Sequence, residues 1–418
     1  MSDSSSHTNA RSANTPIYLD YNATTPVDER VLAKMTPYFT AAFGNAASRD
    51  HAFGWDAAGA VNEARYHVAS LINARPDEII FTGCSTESIN LALKGVAQLG
   101  EGGGRAMVTS AVEHEAVLGA CRQVEAKTSV EVNYLGVDGA GRIDLEELAN
   151  SVGRSGTLLV SLMFANNEIG TIQPVAEIGA LVGEARAAGR RHLWLHTDAV
   201  QAAGRMPFDV ETLGCDLLSL SAHKLNAPKG CGALFVRRSV RLVPQSLGGH
   251  QERERRAGTE AVASIVAFGA AAALAREELD ERTRHMRHLR DRFETGVVER
   301  ISDIVFNGDR AHRLPHLSNI SFRFIEGEGL LINLDMQGVA VSTGSACSSG
   351  SLEPSPVIRA LGRDDELARG SIRFSLGKET TDADIDYVLE VLPRAVSNLR
   401  RLSPLYQKAL AERACQVA

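Results

Sequence analysis

Three things are scarce in this 418-residue chain: paired cysteines, positive charge and long apolar runs. None of its six cysteines stands in a CxxC pair, so neither a zinc ribbon nor a thioredoxin-like redox motif is expected. Six scattered cysteines also do not make a disulfide framework in a chain of this length. The cysteine usage therefore favours a reducing cytoplasm and mostly buried structural thiols.

Charge and hydropathy exclude two further classes of partner. The net charge of −7 argues against a general nucleic-acid binder, so no direct nucleic-acid binding is expected. The longest mostly apolar runs, residues 158–165 and 262–275, are shorter than a membrane span, and no membrane partner is expected. Residues 1–14 are polar and Ser-rich, which is typical of a disordered tail and not of a secretory signal or a transit peptide.

The order of the apolar segments predicts an α/β fold. Through the first two thirds of the chain, short β-rich runs alternate with helical patterns such as residues 87–99 and 175–188. The candidate strands are residues 78–82, 107–110, 130–135, 158–163, 193–197, 217–220 and 233–236. Strand–helix alternation predicts a mainly parallel sheet with helices on both faces. Ligands of such sheets bind outside the carboxyl ends of the strands.

The pattern changes after about residue 265, where a smaller α+β unit is predicted. A helical stretch covers residues 264–300, and strands follow at residues 317–324, 339–342 and 371–376 before a C-terminal helix from about residue 381. The predicted organisation is a tail at residues 1–14, a segment at 15–27 that joins the small domain, a large domain at 28–265 and a small domain at 266–418.

The most informative segment is Ser221-Ala222-His223-Lys224, which directly follows an apolar strand. A lysine at the mouth of a core strand can form a Schiff base with an aldehyde cofactor. Desolvation by the core lowers the pKa of such an amine and makes it nucleophilic near neutral pH. The alternative for this segment alone is a surface lysine at a strand end.

Three other polar positions follow predicted strands. Residues 83–88 form a small polar turn between a strand and a helix, which can bind an anion or can simply cap the helix. Asp198 ends a buried strand and could pair with a pyridinium N–H, or could cap the turn at residues 199–203. His114 could stack on a flat ring, although a lone histidine is more often a surface or core residue.

Cys347 differs from the other cysteines in its neighbours, which are small glycine, serine and alanine residues on both sides. Such a composition suits a mobile loop better than a core strand. A thiolate on a mobile loop could enter a site, attack a substrate sulfur and leave with it. The alternative is a structural cysteine, for which bulky apolar neighbours would be more usual.

Nine segments together carry a resemblance to a known family. They are Tyr18 to Pro26 (YLDYNATTP), Thr86 to Ser88 (TES), Glu113-His114, Asn166 to Gly170 (NNEIG), His196 to Gln201 (HTDAVQ), Ser221 to Lys224 (SAHK), Arg256 to Thr259 (RAGT), Gly344 to Cys347 (GSAC) and Ser371 to Ser375 (SIRFS). The chain resembles cysteine desulfurases, class-V aminotransferase-like enzymes of pyridoxal 5′-phosphate fold type I, from about residue 17 to 395. The GSAC segment is similar to the long-loop form used in iron–sulfur cluster assembly.

The resemblance implies roles for individual residues. Lys224 would hold pyridoxal 5′-phosphate covalently, Asp198 would pair with the pyridine nitrogen, His114 would stack on the ring and Gln201 would contact the phenolic oxygen. The phosphate would be bound by Ser85, Thr86, Ser221 and His223, with Thr259 contributed by the second subunit of a homodimer. Asn22, Asn167 and Arg373 would bind the substrate, Asn167 also lying at the cofactor, and arginine offers a planar two-pronged contact to a carboxylate. Cys84 stands where the family's phosphate turn usually has glycine, so the backbone there must avoid a glycine-only conformation.

The implied activity converts L-cysteine to L-alanine. Lys224 would remove the Cα proton, with His114 also in the catalytic group, and the Cys347 thiolate would take the substrate sulfur as a persulfide for acceptor or scaffold proteins. No resident metal is expected, although Cys347 could serve as a transient ligand of an iron–sulfur cluster. The alternatives are a selenocysteine lyase, a desulfurase dedicated to thiolation of tRNA or DNA, another lyase or aminotransferase of this fold, and a catalytically silent sulfur-carrier scaffold.

Overall fold

The computed structural model describes residues 16–100, 105–154, 156–344 and 354–417, without the side chains of the last two. The predicted polar tail and the segment that carries Cys347 both lie outside these ranges. Among the described residues, no helix combines the length and the apolar composition that crossing a bilayer requires.

A seven-stranded sheet forms the centre of the molecule. Its strands are β2 (Ile79–Thr82), β3 (Ala106–Ser110), β4 (Glu131–Leu135), β5 (Thr157–Ser161), β6 (Trp194–Asp198), β7 (Leu217–Ser221) and β8 (Gly232–Val236), in the spatial order β2-β8-β7-β6-β5-β3-β4. Only β8 runs antiparallel to its neighbours. The α/β prediction of a mainly parallel sheet is therefore confirmed.

Helices cover both faces of this sheet, as the buried apolar side chains of its inner strands require. The helices of this part are α1 (Glu29–Met35), α2 (Ala52–Leu71), α3 (Ser85–Leu99), α4 (Glu115–Lys127), α5 (Leu145–Gly153), α6 (Val175–Ala187), α7 (Val210–Leu213) and α8 (Val262–Glu277). One apolar core joins the sheet to α2, α6 and α8, and a second joins it to α3 and α4. Residues at every step along β5, β6 and β7 are buried, because both faces are covered.

A second, smaller unit has its own apolar core. It contains a three-stranded antiparallel sheet, β12-β10-β9, and the parallel pair β1-β11. Its elements are β1 (Ile17–Tyr18), α9 (Leu279–Arg300), β9 (Ile304–Phe306), β10 (Leu317–Phe322), α10 (Gly327–Asp335), β11 (Val339–Ala340), α11 (Pro356–Ala360), α12 (Asp365–Arg369), β12 (Ser371–Ser375), α13 (Asp382–Leu402) and α14 (Pro404–Val417). Ile17 and Leu19 from the start of the described chain are buried in this core.

The helical stretch predicted at residues 264–300 is two helices, α8 and α9, separated at Glu278. The carboxylate of Glu278 accepts hydrogen bonds from Arg30 and Arg282, which hold the break in place. The predicted domain boundary at residues 265/266 falls inside α8, whose buried side chains pack on the large sheet. Helix α8 therefore continues past the predicted boundary, and the break between α8 and α9 is at Glu278. Helix α2 had no counterpart in the sequence prediction.

Candidate active site

The site lies where parallel strands end at one edge of the large sheet. Strands β2, β3, β5, β6 and β7 all finish at this edge, since β8 runs antiparallel to both of its neighbours. Asp198 at the end of β6 pairs in register with Ser219 of β7. Asp198 ends its strand, and the segments that follow the other four strands carry Thr86, His114, Asn167 and Lys224. The fold thus brings these predicted site residues to a common edge.

The turn after β2 is packed tightly against the sheet. Gly232 of β8 pairs with Thr82 on one side and with Ser221 on the other. A Cβ added at Gly232 would lie 2.5 Å from the carbonyl carbon of Cys84, so this close approach requires glycine. Cys84 itself has φ −172° and ψ 171°, an extended conformation open to any residue. The cysteine at this position therefore causes no backbone strain.

Ser221 ends β7 beside this turn. Its side chain is buried, and within the described part of the chain its hydroxyl has no hydrogen-bond partner. Buried polar groups in native proteins are nearly always satisfied. The orphaned hydroxyl, next to the amino-terminal end of the 15-residue helix α3, is therefore a candidate contact for an anion that binds there.

Lys224 follows Ser221 in a short 3-10 turn and is half-buried. Its Nζ donates hydrogen bonds to the main-chain oxygens of Asn22 and Ala23, the latter at 2.6 Å. The neighbouring His223 Nδ1 lies 3.1 Å from Thr24 Oγ1. Burial, followed by the nearby charge of Lys224, lowers the pKa of His223 to about 4. The amino-terminal segment therefore holds the SAHK turn from outside the large sheet.

Asp198 is 8% exposed. Its Oδ1 accepts a hydrogen bond from the Val200 N–H at 3.0 Å, and no donor among the described residues contacts its other oxygen. Burial raises the pKa of Asp198, while the charges of His114 and Lys224 oppose this rise. The carboxylate thus makes the backbone contact of a turn cap and keeps a second oxygen for another donor, so the two alternatives drawn from the sequence are compatible.

His114 is the N-cap of α4, where its Nδ1 accepts from the Ala116 N–H at 3.1 Å. The preceding Glu113 was not assigned a role from the sequence. Glu113 Oε1 accepts from Ser110 Oγ at 2.7 Å and from the Met163 N–H at 2.9 Å. Burial raises its pKa to about 8, and Oε2 is buried without a partner in the described ranges. Glu113 is therefore held mainly as a neutral acid at neutral pH.

A buried polar network lies beside Lys224. Asn22 Nδ2 donates to the Asn167 carbonyl at 2.9 Å, and Gln201 Nε2 donates to the Asn22 carbonyl at 3.1 Å. Two residues that sequence reasoning missed complete it: Arg205 donates to Gln201 Oε1, and His316 Nε2 lies 2.6 Å from Asn22 Oδ1. The four-residue spacing from Gln201 to Arg205 was the available signal. Nothing near His316 in the sequence indicated its place.

Arg373 lies on β12 and is 3% exposed. Its Nη2 contacts Asp20 Oδ1 at 2.7 Å, and its Nη1 donates to the Asn167 carbonyl at 3.1 Å. Its Nε is buried without a partner in the part of the chain described here. The guanidinium therefore sits beside Asn167, and both of its terminal nitrogens are already engaged by the protein.

The structure does not bring every predicted residue to this edge. Thr259 is exposed, and no hydrogen bond joins it to the other site residues within the described chain. Its loop is tied to the phosphate turn because Arg256 Nε contacts Glu87 Oε1 at 2.7 Å. Thr86 is exposed and Ser85 half-buried at the start of α3. Cys347 lies outside the described residues.

A cavity of about 280 Å³ lies away from this edge. Residues of α1, α2 and α8, among them His67, line it together with Tyr38. None of the predicted site residues lines it. The strand edge, with its convergent polar groups and shifted pKa values, is therefore the better candidate for chemistry.

Comparison with known proteins identifies the family. The model of the family Aminotransferase class-V matches residues 17–388. This chain belongs to the class-V aminotransferase family. It is 49% identical over 395 residues to the protein named cysteine desulfurase IscS from Neisseria meningitidis serogroup C / serotype 2a, covering 94% of this chain and 95% of the relative.

Solved structures of this family share the fold. A NifS-like protein aligns with a TM-score of 0.85 and 37% identity, covering 92% of this chain and 100% of the other. The structure described as SspA in complex with cysteine aligns with a TM-score of 0.76 and 32% identity, covering 87% and 100%. The prediction of fold type I from the sequence motifs is thus confirmed.

Pyridoxal 5′-phosphate is the cofactor of the family, and the residues at the strand edge fit it. The orphaned Ser221 hydroxyl beside the start of α3 suits a phosphate. The buried Asp198 oxygen without a donor suits a pyridinium N–H. Lys224 lies in the turn that follows β7, the strand next to Asp198, and donates to the carbonyls of Asn22 and Ala23. Each group of the cofactor thus has a chemically matched residue at this edge.

Proposed function

We propose that this chain is a cysteine desulfurase that converts L-cysteine to L-alanine and keeps the sulfur as a persulfide on Cys347. The observation that carries the proposal is the strand edge, where Lys224, Asp198 and the unpartnered Ser221 hydroxyl converge. The names of the similar proteins, cysteine desulfurase IscS and SspA in complex with cysteine, support the same activity.

The cofactor would be held by residues on the segments after β2, β3, β5, β6 and β7. Lys224 would bind it covalently, and Asp198 would keep the ring nitrogen protonated. The remaining contacts would come from Ser85, Thr86, Ser221 and His223 to the phosphate, Gln201 to the phenolic oxygen, His114 to the ring face and Asn167 beside it. A neutral imidazole, which the lowered pKa of His223 indicates, can still donate one N–H to a phosphate.

When bound, pyridoxal 5′-phosphate draws electrons away from the α-carbon of an amino acid. Lys224 would take the Cα proton on its Nζ, because the amine is held at the mouth of the site by the carbonyls of Asn22 and Ala23. Asp198, buried and with one oxygen open, keeps its negative charge when a cationic partner is present. The two residues thus divide proton transfer and charge stabilisation between them.

Arg373 would bind the substrate carboxylate together with Asn167 and Asn22. Its bond to Asp20 and to the Asn167 carbonyl fixes the plane of the guanidinium before substrate arrives. A substrate carboxylate that shares this arginine must compete with Asp20, which lies at 2.7 Å. This competition would weaken the binding of the substrate carboxylate and of the product carboxylate alike.

The sulfur step would be carried out by Cys347. Its thiolate would form an S–S bond to the substrate Sγ while the Cβ–Sγ bond breaks, and the electron pair left on Cβ would take up a proton to give L-alanine.

The persulfide would then pass to an acceptor or scaffold protein. Iron–sulfur cluster assembly is the destination we propose, because the similar proteins include IscS. Cys347 could also ligate a cluster transiently.

We place the enzyme in the cytoplasm as a homodimer. Phe43, Phe53 and Trp55 are between 53% and 65% exposed, and Phe43 and Phe53 stack at 5.4 Å between ring centroids. Large exposed apolar patches are uncommon on monomers. A second copy that covers this surface would also allow Thr259, exposed on its loop, to reach the phosphate of the neighbouring subunit.

The experiment compares Cys347→Ser with Cys415→Ser, which removes an exposed cysteine on α14. We expect Cys347→Ser to retain the visible absorbance of the bound cofactor but to form no sulfide from L-cysteine in the presence of a reductant. Cys415→Ser should retain both. Sulfide release by Cys347→Ser at the wild-type rate would remove this residue from the mechanism, and a wild-type protein without cofactor absorbance would refute the function as a whole.

A further inference from the structure

Arg205 is a buried arginine directly behind the expected contact to the cofactor's phenolic oxygen. It lies in the turns after β6 and is 5% exposed. Its Nη1 donates to Gln201 Oε1 and, at 3.3 Å, to Asn22 Oδ1, while its Nη2 donates to the Tyr21 carbonyl at 3.0 Å. All its acceptors are neutral oxygens of residues that line the site or lie next to it.

This cation has no carboxylate partner among the described residues. Of the other buried arginines, Arg65 pairs with Glu252 and Arg373 with Asp20. Arg400, which is also 5% exposed, donates to main-chain carbonyls. Burial and the charge of Arg373 lower the pKa of Arg205 to about 9, which still leaves it protonated at neutral pH. An unpaired buried charge is costly, commonly by several kcal/mol, and is retained where it serves a site.

Arginine only donates hydrogen bonds, so it fixes how the two neighbouring amides are turned. Gln201 Oε1 and Asn22 Oδ1 must face Arg205, and His316 Nε2 points at the same Asn22 oxygen. The amide nitrogen of Gln201 is thereby turned away, and it makes one bond, to the Asn22 carbonyl. Its second N–H has no acceptor within the described residues and can serve a ligand.

We propose that Arg205 is a positioning residue that holds positive charge behind Gln201 and so stabilises the anionic form of the cofactor's phenolic oxygen. The inference rests on the proposed function, since it concerns the cofactor bound to Lys224. Arg205 and Lys224 both line one cavity of about 30 Å³. Positive charge near an acidic oxygen favours its deprotonated form.

Other charged groups face the same region and must be weighed. They are Lys224, His223, His316, Arg373, Arg282 and Lys378. Arg373 is neutralised by Asp20, Arg282 by Glu278 and Lys378 by Asp28. Burial lowers the pKa of His223 and of His316, so both are neutral at pH 7. Arg205 is therefore a cation of this group that no carboxylate of the described residues balances.

The test is a pH titration of the visible absorption of the bound cofactor in wild-type protein and four variants. Arg205→Met and Arg205→Gln remove the charge, Arg205→Lys keeps it, and Arg282→Met removes a balanced cation of the same cavity. We expect the titration midpoint to rise by about one pH unit or more in the Met and Gln variants, a tenfold change in proton affinity. It should stay within about 0.3 unit in the Lys and Arg282→Met variants.

Several results would overturn the inference. One such result is a titration midpoint in the Met and Gln variants that equals the wild-type midpoint. Another is a midpoint in Arg205→Lys that shifts as far as in Arg205→Met, which would show that charge is not the cause. If Arg205→Met fails to fold, Arg205→Gln decides, because it still donates to the same oxygens. A wild-type protein with no visible band would instead refute the proposed function, so the two failures are distinguishable.

Discussion

At the scale of single residues, burial shifts the pKa values of these side chains more than their hydrogen bonds and charged neighbours do. Asp198, Glu113, Glu168 and His196 all have pKa values shifted by burial towards their neutral forms. His196 does not indicate a ligand site, since its ring lies between Ser161 and Ser219 and both ring nitrogens have hydrogen-bond partners. Glu113 and Asp198 each keep an oxygen that no donor of the described residues contacts, and such groups mark places where a ligand or a proton is accommodated.

Glu113 gives a prediction about pH. Its pKa is about 8 in the folded protein against 4.5 for the free side chain, so between these values the folded state holds a proton that the unfolded chain has released. Stability must therefore fall as pH rises through this window. Glu113→Gln resembles the protonated acid and cannot titrate. We expect the variant to gain about 1 kcal/mol or more relative to wild type between pH 5 and pH 8.

Urea unfolding of both apo-proteins across this pH range measures the effect. Glu146→Gln, which changes an exposed acid in the first turn of α5, is the matched control and should differ from wild type by a constant amount. A constant difference for Glu113→Gln as well would show that its carboxylic acid ionises normally in the folded protein.

At the scale of elements, β8 sets the position of the phosphate turn. The turn at Cys84 rests on Gly232, where a methyl group would lie 2.5 Å from backbone. Gly232→Ala should therefore displace the turn or the strand and weaken binding of the cofactor to the apo-protein by about tenfold or more, as one lost hydrogen bond to a charged group would. An absorbance titration with pyridoxal 5′-phosphate measures the affinity.

The control for this change is Gly183→Ala in α6, where an added Cβ meets nothing within 4 Å. Alanine there should raise stability by about 0.5–1 kcal/mol, because glycine is a poor helix former, and should leave cofactor affinity unchanged. Undiminished affinity in Gly232→Ala would mean that the turn does not depend on this contact.

At the scale of the whole molecule, the amino-terminal segment joins the two units around the site. Ile17 pairs with Val339 in the small unit, while the carbonyls of Asn22 and Ala23 hold Lys224 at the edge of the large sheet. The network of Asn22, Gln201, Arg205 and His316 spans nearly 300 positions of sequence, as the Asn22–His316 separation of 294 shows. The hydrogen bonds of this network can form only when both units have folded.

The long sequence separation of these contacts explains which parts of the fold and of the site the sequence could predict. The strands and the edge where Lys224 and Asp198 meet follow from apolar runs and local motifs, and both were predicted. Arg205 and His316 were missed because most of their partners are distant in the chain, and only Gln201, four residues before Arg205, lies nearby. The break at Glu278 was missed because both flanking segments are helical in composition, and only its bonds to Arg30 and Arg282 reveal it.

The most direct measurement of the central claim is the site of covalent attachment of the cofactor. Reduction of the holoprotein with borohydride, digestion and mass spectrometry should place the reduced cofactor on the peptide that contains Lys224. Lys224 and Lys378 both line the cavity of about 30 Å³, so Lys378 is the competing amine in that lining. Attachment to Lys378 or to another lysine, or no attachment in a protein that carries the cofactor's visible band, would contradict the account.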